Sequence, residues 1–210
     1  MELFLTSSVH AVAHDIAKRV NLKKAAKLVF IDTAAEPKGE RADLAWLKTD
    51  RKSLVDAGFI VTDYTITNKT KGQLEIDLHS FDYIYMSGGD TMYLLEQSQK
   101  TGFIEIVSDF IRNRKKIYIS TSAGSIIAGP KLPDYFLDVV NKTENVTGYN
   151  FVNFTILPHW GSEHFKERYL GERLKLAYKE SQVPLLLLTD NQYVHVRNDQ
   201  AQIVDVKNIA

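Results

Sequence analysis

The sequence predicts an α/β fold: a mostly parallel sheet flanked by helices and closed by a C-terminal β-hairpin. Three observations predict it. Short apolar runs alternate with longer segments of helical period along the 210 residues. Runs of that kind read as strands buried on both faces, which is how a helix-covered parallel sheet is written. Two of them stop at small residues, Tyr83–Met86 before Gly88-Gly89 and Ile117–Ile119 before Ser120–Ser125. The last two, Tyr193–Arg197 and Ile203–Val206, lie close enough in sequence to pair as a hairpin.

Taken in order, Glu2–Thr6 is the first strand, and residues 8–21 follow with helical period and Ser8 as N-cap. Leu28–Ile31 is the second strand, leading into a polar loop through Pro37 and Gly39. Leu44, Leu47, Leu54 and Val55 share one face of a helix that ends near Gly58. Phe59–Ile66 alternates as a strand, and Tyr83–Met86 is the next. Leu94-Leu95, then Phe103, Ile106, Val107, Phe110 and Ile111, predict two helices parted near Gly102. After the strand Ile117–Ile119 come two more, Phe154–Leu157 and Pro184–Leu188, with an amphipathic helix over residues 163–180 between them. No repeat, low-complexity tract or linker divides the chain, so residues 1–210 are expected to form one domain.

Composition narrows the function classes. The 26 basic residues balance 26 acidic ones, which leaves no general basic field for holding nucleic acid. The absence of cysteine excludes disulfides, thiolate metal sites, iron–sulfur clusters and a cysteine nucleophile. Met1–Leu5 is apolar but lacks the basic flank of a signal peptide. The strongest apolar run, Val183–Leu188, is far short of the roughly 20 residues a membrane helix needs. The expectation is a soluble, cytoplasmic protein with neither nucleic acid nor membrane as partner. Tyr135–Leu137 and Tyr149–Phe154 suit either core packing or an interface, so a homo-oligomer stays open.

In open α/β sheets functional groups gather beyond the carboxyl ends of the strands. That edge comprises Thr6–His10, Asp32–Glu36, Ser87–Asp90, Ser120–Ser125, Pro158–Gly161 and Thr189–Asn191. In Ile117–Ile127 a strand runs through Ser120-Thr121-Ser122-Ala123-Gly124 straight into a helical pattern, the setting of a nucleophile elbow. A helix start there would add partial positive charge beside a developing anion. A plain small-residue turn that seats a helix on a sheet has the same local sequence. Ser87-Gly88-Gly89-Asp90-Thr91 is a second strand-to-helix turn. Its N–H groups could complete an oxyanion hole with that of Ala123 or cradle a phosphate, with Asp90 as helix N-cap.

A serine nucleophile needs a base, and His159 directly follows an apolar strand on the same edge. His10 and His14 stand at i, i+4 like a metal pair but lack an adjacent glutamate, so they read as ordinary surface histidines. His79, His164 and His195 carry no comparable signal. Asp190, after the last buried strand, is the candidate orienting carboxylate; Glu163, Glu144, Asp138 and Asp134 are its rivals. The chain order Ser122, His159, Asp190 differs from that of α/β-hydrolases.

Over nearly its whole length the chain resembles the peptidase E family, serine dipeptidases of the class I glutamine amidotransferase-like fold related to cyanophycinase. The likeness lies in the opening Met-Glu-Leu-Phe-Leu strand, Gly88-Gly89-Asp90-Thr91, Thr121-Ser122-Ala123-Gly124, Pro158-His159 and Leu188-Thr189-Asp190. It implies Ser122 as nucleophile, His159 as base, and the Gly89 and Ala123 N–H groups as oxyanion donors. Where the family typically has a glutamate acid, the matching residue is Asp190, one methylene shorter. Ser120 replaces a common glycine, Ser87 opens the glycine turn, and Asp90 stands where asparagine is common. The added carboxylate of Asp90 argues against carrying over specificity for N-terminal aspartate. Many relatives of this fold place cysteine at the elbow, and this chain has Ser122 there. The expected activity is hydrolysis of a dipeptide or small peptide through an acyl-enzyme, without metal or organic cofactor. Another amide or ester, a cyanophycin-like polymer, or non-catalytic binding of a small molecule on the same fold are the competing readings.

Overall fold

The computed structural model describes residues 1–137, 146–177 and 183–206. The first half runs β1 (Glu2–Thr6), α1 (Val9–Arg19), β2 (Lys27–Ile31), α2 (Ala45–Asp56), β3 (Ile60–Tyr64), α3 (Lys71–Leu78) and β4 (Tyr83–Met86). Then come α4 (Thr91–Thr101), α5 (Phe103–Arg112), β5 (Ile117–Thr121) and the one-turn helices α6 (Ala123–Ile126) and α7 (Asp134–Leu137). The chain continues with β6 (Thr155–Leu157), α8 (Lys166–Tyr169), α9 (Glu172–Ala177), β7 (Leu185–Leu187), β8 (Gln192–Arg197) and β9 (Gln200–Asp205).

Seven strands form one sheet in the order β3-β2-β4-β5-β1-β8-β9. Its first five strands are mutually parallel, and the C-terminal hairpin β8–β9 adds antiparallel to β1. The fold class predicted from the sequence is therefore the one observed. Alternation of side chains sends Val29, Ile31, Ile84, Met86 and Tyr118 to one face, against α3, α4 and α5. Leu28, Phe30, Tyr85 and Ile119 go to the other face, against α1 and α2. Each large side chain fully buried in this way contributes about 1.5–3 kcal/mol.

Register positions the site. Thr6 pairs with Thr121 and Met86 with Ser120, so the carboxyl ends of β1, β4 and β5 lie side by side. The residues that follow, Ser7, Ser87–Gly89 and Ser122, must therefore crowd together.

Four features depart from the sequence reading. The predicted polar loop after β2 holds a 3-10 turn, Thr33–Lys38, with Ala34 and Ala35 buried. Helix α3 was not anticipated; it opens with a reciprocal Thr70–Gln73 capping box. β6 and β7 pair with each other in a separate parallel sheet, because β8 already occupies the second edge of β1. The helix expected over 163–180 is instead a 3-10 turn, Glu163–Phe165, then α8 and α9. Gly171, at φ +94°, separates α8 from α9 in a conformation that L side chains rarely adopt. Residues 178–180 of that prediction lie outside the described residues. Of the segments that suit core or interface, Tyr135, Tyr149, Phe151, Val152 and Phe154 are buried within the chain and Phe136 is partly buried. Among the described residues no helix is long and apolar enough to cross a membrane.

Candidate active site

Ser122 sits where β5 turns into α6, with φ +48° and ψ −106°. A side-chain-bearing residue there costs on the order of 1–3 kcal/mol and persists only when its surroundings hold it. They do so with buried hydroxyls. The Ser122 N–H donates to Thr6 O at 3.1 Å. Thr6 Oγ1 bonds Ser120 O at 2.7 Å and Thr121 Oγ1 at 3.1 Å. Ser125 Oγ bonds Ser120 Oγ at 2.9 Å and donates to Thr6 O at 2.7 Å. Ser120, the departure from the family glycine, is thus one member of the lattice that holds the elbow. Gly124 is required by space: a Cβ there would stand 2.6 Å from Met86 O.

The glycine turn lies against the elbow. A Cβ on Gly88 would stand 3.4 Å from Ser122 Cβ. Gly89 has φ +136°, and a Cβ on it would fall 2.1 Å from Ala34 O, so only glycine fits between this turn and the buried Ala34-Ala35 segment. The Asp90 N–H donates to Ala34 O, while the Asp90 carboxylate caps α4 by accepting from the Tyr93 N–H at 3.0 Å. Among the described residues neither the Gly89 nor the Ala123 N–H has a hydrogen-bond partner. Helix α6 spans only four residues, so it supplies little of the macrodipole expected from the sequence. Any help to an anion at this place falls to individual N–H groups.

His159 and Asp190 meet. His159 Nδ1 lies 2.6 Å from Asp190 Oδ1. The imidazole is mostly covered, and Asp190 is 41% exposed. The Nδ1–H bond from His159 holds the Asp190 carboxyl below the usual carboxylate range, against its own partial burial. The Ser7 hydroxyl and the charge of His10 act in the same direction. An ionised carboxylate can only accept, so Nδ1 donates and Nε2 carries the lone pair.

Ser7 was missed by sequence reasoning. Its Oγ accepts the His159 N–H at 2.7 Å and donates to Asp190 Oδ1 at 3.0 Å. Because Ser122 is tied to Thr6 and His159 to Ser7, consecutive residues at the end of β1 hold the two candidates. Among the described residues no hydrogen bond joins Ser122 Oγ to His159. Such contacts are often loose until substrate closes them. The only readable signal for Ser7 was its place on the carboxyl edge.

His10 is exposed, as expected of a surface histidine, and also makes bonds the sequence does not show: Nδ1 bonds Asp50 Oδ1 at 3.2 Å and Ser8 Oγ at 2.9 Å. Asp50 is buried and also accepts from Tyr85 Oη at 3.0 Å. Asp50 holds the His10 imidazole above its ordinary value, against partial burial. Ser8 occupies the N-cap position of α1, but its hydroxyl goes to His10 instead of an N–H of the helix. His14 is exposed, His79 borders Arg114, His164 stands edge-on to Phe165, and His195 stacks on Phe4 while bonding Glu2. Of the rival acids, Glu163 is exposed and paired with Lys166, and Asp134 opens α7. Asp138 and Glu144 lie outside the described residues. No group of three metal-ligating side chains occurs among the described residues.

The family model for peptidase family S51 matches residues 3–204. An uncharacterized peptidase of Listeria monocytogenes is 31% identical over 170 residues, 79% of this chain and 80% of its own. Peptidase E of Streptomyces coelicolor is 28% identical over 156 residues, 72% of this chain and 62% of its own. A crystal structure assigned to a peptidase E protein of Listeria monocytogenes superimposes with a TM-score of 0.80 at 25% identity, covering 98% of both chains. A peptidase from an acI-B1 Actinobacterium shares the fold, with a TM-score of 0.73 at 16% identity over 98% of this chain and 87% of its own.

Proposed function

The chain belongs to peptidase family S51 and is accordingly a peptidase, and on that premise we propose that it is serine-type and cleaves dipeptides or other small peptides. The observation that carries this reading is the convergence at the end of β1. Thr6 bonds Ser122 at the strained elbow, and the next residue, Ser7, bonds both His159 and Asp190.

Ser122 Oγ attacks the carbonyl carbon of the scissile amide as its proton passes to His159 Nε2. The carbonyl oxygen becomes an oxyanion, held by the Gly89 and Ala123 N–H groups. Asp190, accepting from Nδ1, stabilises the imidazolium and keeps its ring in the productive tautomer. The C–N bond then breaks as His159 returns the proton to the leaving amine, and Ser122 is left as an ester. Water, deprotonated by His159, attacks that ester; the acid product leaves and the proton returns to Ser122. The chemistry asks for no metal or organic cofactor.

Two measurements test the reading. Against a dipeptide panel, Ser122→Ala should lower kcat by several orders of magnitude, about 10⁴-fold or more, while the protein stays folded. A serine-directed phosphonate should add to the native protein and not to Ser122→Ala. Full activity in the variant removes Ser122 as nucleophile. A folded native protein that neither cleaves peptides nor takes the label favours non-catalytic binding.

A further inference from the structure

The His159 ring makes one more contact, which the mechanism above does not use. Its plane lies flat on the Phe165 ring, with centroids 4.2 Å apart and 7° between planes. Phe165 is itself stacked on Tyr169 at 5.9 Å and 25°. Tyr169 is buried in the small cluster it forms with Tyr135 and Leu157. His164 meets Phe165 edge-on at 4.9 Å, and the Arg168 guanidinium lies 5.6 Å from its centroid. The backbone folds the ring back onto its target: the Ser162 N–H donates to His159 O, and the Phe165 N–H to Ser162 O.

This contact addresses a deficit in the pair. One hydrogen bond fixes a point on a ring, not its plane. The His159 imidazole could still rock about its Cβ–Cγ bond as the Asp190 side chain moves with it, displacing Nε2. Torsions next to a flat ring are broad and offer little resistance of their own. Asp190 is substantially exposed, so its side chain is a soft anchor. A flat neighbour on one face opposes that rocking and leaves Nδ1 bonded to Asp190. Offset-stacked rings are a favoured arrangement of aromatic pairs.

Resting on the serine-peptidase reading, we propose that Phe165 is a positioning residue that fixes the plane of the His159 imidazole, with Tyr169 anchoring it to the small core. It acts through His159 and not by touching substrate. Its loss should therefore slow chemistry and leave binding alone. A misplacement of about 1 Å in a catalytic group costs up to roughly 100-fold.

The test is a series at residue 165 with two readouts: steady-state kinetics on a cleaved dipeptide, and the rate at which a serine-directed phosphonate labels Ser122. Phe165→Leu should lower kcat and the labelling rate together, by about ten- to a hundredfold. KM should stay within about twofold, and Phe165→Tyr, which keeps the flat face, should restore both rates. Phe165→Met keeps the volume without the plane and carries the same expectation should the leucine variant fail to fold. Native labelling with equal labelling of Phe165→Leu sinks the positioning role and leaves the peptidase reading standing. A rise in KM at unchanged kcat and labelling makes Phe165 a substrate contact and also overturns the proposal. If native Ser122 takes no label, the serine mechanism fails and this role falls with it.

Discussion

The two halves of the candidate site are built to different standards. Ser122 stands at the end of β5, in the middle of the seven-stranded sheet, with buried Thr6, Ser120, Thr121 and Ser125 bonded around its turn. His159 and Asp190 follow three-residue strands of a separate two-stranded sheet, and Asp190 is substantially exposed. Strain in a backbone survives only where the surroundings over-determine it. The deep half therefore carries the strained Ser122, the proposed nucleophile. The shallow half holds the pair proposed to take up and release a proton, and it reaches the deep half through the hydroxyl of Ser7. The difference teaches where each kind of substitution should act: on the elbow through strain and chemistry, on the histidine half through alignment.

The largest expected effect lies at the elbow. Ser122→Gly removes the side chain from φ +48° and with it on the order of 1–3 kcal/mol of strain. Glycine's greater unfolded-state entropy offsets about 0.5–1 kcal/mol of that gain. Activity on dipeptides should vanish while Tm rises by a few degrees, as a melt beside the peptide assay would show. A glycine variant less stable than the native protein would mean that the turn is not strained.

Much of this layout was legible in the sequence, for a physical reason. Strands buried on both faces announce themselves as apolar runs, and the edge rule then selects the residues just past them. Ser122, His159 and Asp190 were picked out as candidates that way, as were Gly89 and Ala123. Ser7 and Phe165 were not. The bonds of Ser7 reach 152 and 183 residues along the chain, and no periodicity encodes such a pairing. The contact of Phe165 with His159 depends on turns within a segment that reads as one amphipathic helix. Helix α3 escaped for the opposite reason: Leu74 and Leu78 are buried, but Ile76 is 77% exposed, which blurs the apolar face. Its readable signal was the Thr70–Gln73 cap.

An intermediate effect is expected at the tie between the halves. Ser7→Ala leaves the part-buried His159 N–H without its acceptor and Asp190 without one donor. An unmet bond of this kind costs about 1–3 kcal/mol. If the tie aligns the base, kcat should fall by about tenfold or more with KM little changed. Stopped-time assays on the peptide that the native protein cleaves best would read this directly. Unchanged kcat in a folded Ser7→Ala protein would show that the halves align without it.

The smallest effect contrasts two carboxylates of the same edge. Asp190 is held low by His159, so its contribution to stability is present above the unfolded carboxylate value of about 4 and fades as pH falls through its lower folded value. Asp32, at the end of β2, goes the other way: burial pushes it up to about 6, opposed by the Arg41 guanidinium with which it is ion-paired. A carboxyl whose folded value is raised favours the folded state most below the unfolded value. That stability is lost as pH rises from about 4 through about 6. Asp32→Asn should then gain Tm relative to the native protein at pH 8 and gain nothing at pH 4. Arg41 keeps a partner in Asp63, 3.1 Å away, so the substitution strands no cation. A Tm difference that does not change between the two pH values would mean that the Arg41 pair, and not burial, governs Asp32. The sheet half of the edge would then be electrostatically as settled as the histidine half.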